Sequence, residues 1–186
     1  MTEKEKMLNG ELYDANYDEN LLKERIEAKE LCFQYNHINP SKIEERKNIL
    51  HKLIGKTKDK FYVEQYFWCD YGYNIELGEN FYANHNLTIL DAAKVIFGDN
   101  VFIGPNCGFY TSGHPIDFKT RNQGIEYAKP ITVGNNVWIG GDVTVLPGVS
   151  IGDNSIIGAG STVTEDIPSN VVAVGNPCKI IKNINN

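Results

Sequence analysis

The sequence predicts a mainly β protein, a parallel β-helix preceded by a short helical segment. Two observations carry this prediction: a six-residue repeat in the C-terminal part of the chain and a change of composition near residue 55. Residues 1–55 hold 20 of the 42 Asp, Glu, Lys and Arg residues but only two of the 17 glycines. The division predicts a helical segment over residues 1–55 and a β-helix over residues 56–186.

An aliphatic residue recurs every six positions toward the C-terminus, at Val133, Ile139, Val145, Ile151, Ile157 and Val163. Glycine usually follows it, and a small or β-branched residue often stands four places after it. Neither the 3.6-residue period of a helix nor the two-residue alternation of a strand generates such a register. Six-residue repeats are typical of a parallel β-helix, in which three repeats build one triangular coil and the aliphatic side chain points inward.

With one slip of two residues, the register continues upstream at Leu77, Ala83, Ile89, Phe97, Ile103 and Phe109. The runs Gly98-Asp99-Asn100, Gly134-Asn135-Asn136 and Gly152-Asp153-Asn154 are expected to turn corners, where φ is often positive. Between Phe109 and Val133 the repeat is interrupted, which predicts an inserted loop at about residues 110–132. Solenoids tolerate such loops on their surface, and the loops commonly carry function.

The N-terminal segment contains two helix signals. Apolar residues at spacings of three and four follow Asp18, which is a good N-cap residue. In the second signal, Ser41 and Glu44 have the spacing of a capping box, and Gly55 is a reasonable stop. Two short helices of this kind are too small to be stable alone, so we expect their apolar faces to pack on the β-helix.

Composition narrows the class of protein. A net charge of −6 gives no reason to expect nucleic acid or an anionic membrane as a partner. The first residues lack the apolar stretch of a secretory signal, and no apolar run has the length of a membrane span. The four cysteines are widely spaced without a CxxC pattern, which indicates neither a zinc site nor a disulfide framework. We therefore expect a cytoplasmic protein without a required metal.

Several ordered stretches carry a family resemblance: EKMLNGELY, CDYGYNI, NFYANHNLTILD, TSGHPID, PITVGNNVWIGG and VGNPCKII. Along nearly its full length the chain resembles the sugar O-acetyltransferases of the hexapeptide-repeat superfamily, especially the maltose and galactoside enzymes. CDYGYNI and GELY favour the maltose type. The resemblance implies a left-handed β-helix, a homotrimer with active sites between neighbouring β-helices, acetyl-CoA as co-substrate and a sugar as acceptor.

The resemblance also implies roles for individual residues. It places the catalytic base at His114, and it places acceptor contacts at Asp70, Tyr82 and Asn84. Acetyl-CoA contacts would come from Trp138, Gly141, Ala159, Thr164, Lys179 and Lys182. The chain departs from the galactoside type at Ala15 and Ala92, where an acidic residue is expected, and its two tail lysines stand where arginine is common.

The chemistry of acetyl transfer fits these residue types. A sugar hydroxyl is a very weak acid, so its attack on a thioester needs a base, and imidazole suits that role near neutral pH. A backbone N–H can stabilise the negative charge that develops on the thioester oxygen. Gly141, the second glycine of a pair, breaks the six-residue pattern and is the candidate donor. Trp138 precedes an inward-facing isoleucine, so we expect its ring on the outer surface.

Three other functions are alternatives for a β-helix of this kind. An antibiotic acetyltransferase, of the chloramphenicol or streptogramin type, would share the repeat and the loop histidine but usually lacks a GELY-type helical front. A zinc carbonic anhydrase on this fold needs three converging histidines, whereas the repeat region has only His85 and His114. A non-catalytic scaffold would have no need of the His114 loop.

Overall fold

Three helices and one short strand precede the solenoid in the computed structural model, which describes residues 1–185. Asn186, the last residue of the predicted β-helix region, lies outside the described residues. The N-terminal elements are α1 (Glu3–Leu8), β1 (Tyr13–Asp14), α2 (Glu19–His37) and α3 (Ile43–Leu53). The sequence predicted α2 and α3 but neither α1 nor β1. One apolar face of α2 and α3, including Ala28, Cys32 and Leu50, packs into the same core as the solenoid interior.

The two predicted helix starts had different outcomes. Asp18 caps α2 as expected, because its side chain accepts a hydrogen bond from the Leu21 N–H at 2.9 Å. The predicted capping box at Ser41 was wrong: α3 begins at Ile43 without a side-chain cap. The Ser41 N–H, from which the Glu44 side chain would accept in a capping box, donates instead to Asn39 Oδ1, as does the Ser41 hydroxyl.

Three parallel sheets form the faces of the solenoid, and the chain visits them in the order face 1, face 2, face 3. Face 1 comprises β2 (Lys56–Thr57), β5 (Ile75–Leu77), β8 (Val95–Phe97), β13 (Ile131–Val133) and β16 (Ser150–Ile151). Face 2 comprises β3 (Phe61–Val63), β6 (Phe81–Ala83), β9 (Phe102–Ile103), β14 (Trp138–Ile139), β17 (Ile156–Ile157), β19 (Val171–Val174) and the antiparallel β20 (Lys179–Asn183). Face 3 comprises β4 (Phe67–Cys69), β7 (Leu87–Leu90), β10 (Gly108–Tyr110), β15 (Thr144–Val145) and β18 (Thr162–Val163). The predicted parallel β-helix is confirmed.

The repeat predicts the core correctly. All six aliphatic residues from Val133 to Val163 are buried, and so are the residues four places after them, such as Val143 and Ser155. These side chains stack inside the solenoid from one coil to the next. Core burial is therefore continuous along the axis.

Coil length changes along the solenoid. Strand partners in the early coils lie 20 residues apart, as in Thr57 with Leu77, whereas later partners such as Thr132 and Ser150 lie 18 apart. The extra residues fall where the chain passes from face 3 to face 1, at residues 70–74 and 91–94. The loop at residues 111–130 falls at the same corner. This corner, which we call the face 3–1 corner, therefore projects from the solenoid.

The corner between faces 1 and 2 is built by asparagine. Residues Asn80, Asn100, Asn136, Asn154 and Asn170 all have positive φ, between 56° and 61°. Each side chain donates from Nδ2 to Oδ1 of the next, at 2.9 to 3.2 Å. The glycine that begins each run has a different role from the one predicted. A Cβ on Gly98 would lie 2.7 Å from the Gly134 carbonyl carbon, so it is the close stacking of coils that requires glycine there.

The inserted loop has its own secondary structure. It contains β11 (Ser112–Gly113), α4 (Phe118–Arg121) and β12 (Ile125–Ala128). β12 pairs with β11 on one side and with β1 on the other, both antiparallel. The N-terminal segment is thus joined to the loop through a three-stranded sheet, in which Tyr13 lies opposite Glu126.

Candidate active site

The projecting face 3–1 corner encloses a cavity of about 450 Å³. Its walls come from the corner residues of two coils, from the inserted loop and from the N-terminal segment. The lining residues are Tyr13, Asn16, Arg25, Lys29, Asp70, Tyr71, Leu90, Ala92, Tyr110, Ser112, Gly113, His114 and Glu126. Two residues predicted for the site, Asp70 and His114, meet here.

His114 follows β11 and is held by the other strand of the loop. Its Nδ1 lies 2.9 Å from the carbonyl oxygen of Ile125. A carbonyl can only accept, so Nδ1 carries the hydrogen, and Nε2 of the neutral ring has a free lone pair. The side chain is 45% exposed, which leaves the ring accessible from the cavity. The arrangement prepares Nε2 to take a proton from a ligand.

Glu126 places a carboxylate beside that nitrogen. Its Oε1 lies 3.8 Å from His114 Nε2, and its Oε2 accepts a hydrogen bond of 2.9 Å from the Tyr13 hydroxyl. Burial, followed by the nearby Glu126 charge, raises the pKa of Tyr13 well above its ordinary value. Tyr13 therefore stays protonated and fixes the carboxylate in place.

A second carboxylate, Asp70, lies on the corner that follows β4. Its pKa is raised by burial, although Arg25 opposes the effect. Asp91 is fully buried beneath it and accepts backbone hydrogen bonds from Tyr71 at 2.8 Å and from Asp70 at 3.1 Å. Burial raises the pKa of Asp91 to about 6. Asp91 thus holds the corner that presents Asp70 to the cavity.

Two cations from α2 complete the charged lining. Arg25 donates to the Tyr71 hydroxyl at 2.7 Å and to the Ala15 carbonyl, so its orientation is fixed. Lys29 lies one helical turn further along α2 and also lines the cavity. With His114 neutral, the two cations balance the carboxylates of Asp70 and Glu126. A cavity with balanced charges and many hydrogen-bonding groups suits a neutral, polyhydroxylated ligand.

The other predicted acceptor contacts lie elsewhere on the chain. Tyr82 is in β6 on face 2, and Asn84 is at the corner that follows it; neither lines the cavity. Trp138 is also on face 2, where its ring is 56% exposed as predicted. A single chain therefore does not bring these residues together with His114.

Gly141 lies after β14, at the corner between faces 2 and 3. The N–H groups of its neighbours Gly140 and Asp142 each donate at 2.8 Å, to the carbonyls of Ile157 and Pro105. Within residues 1–185 the Gly141 N–H donates to no protein acceptor. It is thus available to a ligand, as an oxyanion donor must be.

The remaining predicted acetyl-CoA contacts lie toward the C-terminal end of the solenoid. Ala159 and Thr164 are exposed at the ends of strands on faces 2 and 3. Lys179 and Lys182 are exposed on β20, where the Lys179 Nζ lies 3.0 Å from Glu165. An exposed pair of this kind is weak, so Lys179 can exchange its partner for a phosphate at little cost.

Three family models match the chain. The model described as "Maltose acetyltransferase hexapeptide capping motif" matches residues 6–58. "Bacterial transferase hexapeptide (six repeats)" matches residues 130–165, and "Hexapeptide repeat of succinyl-transferase" matches residues 94–116.

Solved structures match over the whole chain. A maltose O-acetyltransferase from Clostridium difficile 630 is 54% identical, with a TM-score of 0.97 and coverage of 100% of this chain and 99% of that one. A galactoside acetyltransferase in complex with coenzyme A is 46% identical, with a TM-score of 0.95 and coverage of 100% and 92%. The chain belongs to the maltose and galactoside O-acetyltransferase family. A hexapeptide-repeat acetyltransferase from Vibrio cholerae O1 biovar eltor, complexed with acetyl-coenzyme A, is 34% identical at a TM-score of 0.92, and each chain is covered completely.

Membership of this acetyltransferase family confirms the enzyme class predicted from the sequence.

Two further findings concern membrane-spanning helices and metal ligands. No helix within residues 1–185 has the length and apolar character needed to cross a membrane. In the same part of the chain, no three His, Cys, Asp or Glu side chains are grouped as metal ligands.

The sequence predicts only Asp70 and His114 among the residues that line this acetyltransferase's cavity. The residues it does not predict include Tyr13, Asn16, Arg25, Lys29 and Glu126. One signal was available. Arg25 and Lys29 stand four residues apart, so they share a face of the predicted helix. Nothing in the sequence indicates that this face covers the corner at Asp70.

Proposed function

We propose that the enzyme transfers an acetyl group from acetyl-CoA to a hydroxyl of a neutral sugar of the maltose or glucose type. One observation carries the proposal. His114 lines a charge-balanced cavity with its Nδ1 hydrogen held by the Ile125 carbonyl and its Nε2 free to accept a proton. The named activities of the maltose and galactoside relatives, and the coenzyme A complex of the latter, support it.

The reaction follows from the position of Nε2. As the acceptor oxygen bonds to the thioester carbon, its proton moves to Nε2, and Glu126 stabilises the imidazolium that forms. General-base assistance of this kind contributes about 10²–10⁴-fold. The carbonyl oxygen becomes negatively charged, and we assign its stabilisation to the Gly141 N–H. When the C–S bond breaks, the departing thiolate takes the proton from Nε2, which restores the neutral histidine.

The acceptor is held by polar groups of both signs. Asp70 accepts from a sugar hydroxyl, and Lys29, which lines the same cavity, is placed to donate to another. The lining carries no net charge, so it does not favour a charged acceptor. Ala15 and Ala92 stand where galactoside-type enzymes carry acids, which favours a maltose- or glucose-type substrate over a galactoside.

The site is completed by a second copy of the chain. The proposed groups fall into two sets on different parts of the surface: His114 and Asp70 at the face 3–1 corner, and Tyr82, Asn84 and Gly141 on or beside face 2. A homotrimer, which the family resemblance implies, places one set against the other at each interface. Acetyl-CoA then lies along the groove between copies, in contact with Trp138, Ala159, Thr164, Lys179 and Lys182. A cytoplasmic location, where acetyl-CoA is made, suits this reaction.

The test is thiol release from acetyl-CoA with a panel of acceptors: maltose, glucose, a thiogalactoside and chloramphenicol. We expect turnover with maltose or glucose at a kcat/KM at least tenfold above that with the other two. Turnover with chloramphenicol alone would instead identify an antibiotic acetyltransferase. No turnover with any sugar would contradict the proposal.

A further inference from the structure

A buried cation in the helical segment, Arg46, is separated from Tyr82 by the side chain of Tyr62. Arg46, on α3, is 3% exposed. Its guanidinium lies between two tyrosine rings, with Cζ 5.3 Å from the Tyr35 centroid and 5.2 Å from the Tyr62 centroid. One Nη donates to the Tyr62 hydroxyl at 2.9 Å, and the other donates to the Tyr35 hydroxyl at 3.0 Å.

Tyr62 connects this cation to face 2. It lies in β3 directly beside Tyr82 of β6, in register. The two rings are stacked, with centroids 6.1 Å apart and planes inclined by only 8°. Both residues are partly exposed on the outer surface of the sheet. The orientation of the Tyr82 ring therefore depends on Tyr62, whose hydroxyl is in turn held by Arg46.

The burial of Arg46 has a cost that its surroundings offset only in part. Removing a guanidinium from water is costly, and here its Nε has no hydrogen-bond partner within the described residues. The nearest carboxylate, Glu64, is 3.7 Å away, which is an imperfect compensation. The guanidinium also donates to the carbonyls of Val63 at 2.9 Å and Pro40 at 3.3 Å, which join α3 to the solenoid. Its bond to the Tyr62 hydroxyl is the one that reaches the partly exposed outer surface of face 2.

We propose that Arg46 is a positioning residue for acetyl transfer: through Tyr62 it fixes the ring of Tyr82, so that the Tyr82 hydroxyl meets the sugar acceptor. The inference rests on the proposed function, in which Tyr82 is an acceptor contact. Helix α3 would then contribute to the site through Arg46, as α2 does through the residues that line the His114 cavity. The helical segment then orients acceptor contacts on both parts of the site.

The test is a double-mutant cycle on Tyr62 and Tyr82. Tyr62→Phe keeps the stacked ring but removes the hydroxyl that Arg46 holds, and Arg46 retains the Tyr35 hydroxyl and the Pro40 carbonyl as acceptors. We expect the acceptor KM to rise about 3- to 10-fold, the effect of one net hydrogen bond. The KM for acetyl-CoA should stay within twofold. Tyr66→Phe, at an exposed tyrosine outside both parts of the site, is the matched control.

The decisive comparison is made in the Tyr82→Phe background, where the contact itself is already lost. If Tyr62 acts through Tyr82, Tyr62→Phe changes the acceptor KM less than twofold there, while any change in melting temperature persists. Equal effects of Tyr62→Phe in both backgrounds would overturn the inference, since a purely structural residue behaves in that way. So would an unchanged acceptor KM in Tyr62→Phe itself. Wild-type enzyme that acetylates no sugar would instead refute the proposed function, and this inference with it.

Discussion

Glu126 Oε1 lies 3.8 Å from His114 Nε2, the nitrogen that is left without a hydrogen when Nδ1 donates to Ile125. A backbone carbonyl thus fixes the tautomer of the proposed base, and the carboxylate is beside the nitrogen that would take up the proton. In the proposed mechanism Glu126 therefore stabilises the charged imidazole. It does not orient the neutral ring.

Replacing Glu126 by Gln should lower kcat/KM about tenfold, because the variant keeps the size of the side chain and loses the charge. Tenfold corresponds to about 1.4 kcal/mol, a reasonable value for one partly exposed charge near a developing cation. Steady-state kinetics with the best sugar acceptor measures this. Glu44→Gln, at an exposed glutamate on α3, is the control, and an unchanged kcat/KM in Glu126→Gln would contradict the role.

The adjacent glycines should respond differently to alanine. A Cβ on Gly140 would lie 2.6 Å from the Ala159 backbone nitrogen, so Gly140→Ala should lower the melting temperature markedly. At Gly141 the nearest atom is Pro105 Cδ at 3.2 Å, a contact that small shifts can relieve. Gly141→Ala should therefore fold but raise the KM for acetyl-CoA severalfold, because the methyl group crowds the thioester. Thermal melting and acetyl-CoA kinetics of both variants test these expectations. A Gly141→Ala enzyme with wild-type kinetics would indicate that no ligand approaches this backbone.

Asp91 should make stability depend on pH. Because its pKa of about 6 exceeds the ordinary value of 3.8, the folded protein holds a proton between about pH 4 and 6 that the unfolded chain releases. The contribution of Asp91 to the free energy of unfolding therefore falls as the pH rises through that window, by roughly 3 kcal/mol in total. Asp91→Asn should flatten the curve measured by urea unfolding, although the raised pKa of Asp70 keeps some slope. Asp59→Asn, at an exposed aspartate, is the control. If the free energy of unfolding of Asp91→Asn depends on pH as steeply as that of wild type, Asp91 does not titrate in this way.

The proposed sharing of the site between copies of a homotrimer predicts complementation. His114→Ala and the double variant Tyr82→Ala, Asn84→Ala should each be nearly inactive alone. When the two are co-expressed at equal levels, about one quarter of the interfaces in random trimers carry neither defect, so about one quarter of the wild-type activity should return. Activity of the unfractionated co-expressed enzyme measures this; in mixed trimers purified with two different tags, which exclude homotrimers, the expected share is about one third. No recovery above the separate variants would indicate that each chain supplies a complete site.

The sequence predicted most of the solenoid because its period fixes which side chains point inward. Residues 56–69 were assigned to the β-helix by composition only, without a register. Thr57, Val63 and Cys69 do keep the six-residue spacing, but large residues, Phe61 and Phe67, stand where small or β-branched residues stand in later coils. The two-residue slip after Ile89 can be recognised in the sequence. That the extra residues of successive coils lie at one corner and build a cavity follows only from how the coils stack.

The site was predicted only in part for a related reason. His114 and Asp70 stand in motifs that can be recognised along the chain. Arg25 and Lys29 reach the cavity because α2 packs against β4, and Glu126 lies beside Tyr13 because β12 pairs with β1. These are contacts between residues up to 113 positions apart, which local pattern does not encode.

The proposed mechanism depends most on His114 as the base for acetyl transfer to a sugar. The most direct measurement compares kcat for wild type, His114→Ala and His37→Ala with acetyl-CoA and the best sugar, alongside coenzyme A affinity by calorimetry. His37 is an exposed histidine at the end of α2 and serves as the matched control. We expect His114→Ala to lose about 10²-fold or more in kcat while it binds coenzyme A normally, and His37→Ala to keep wild-type turnover. A His114→Ala enzyme with wild-type kcat would show that His114 is not the base.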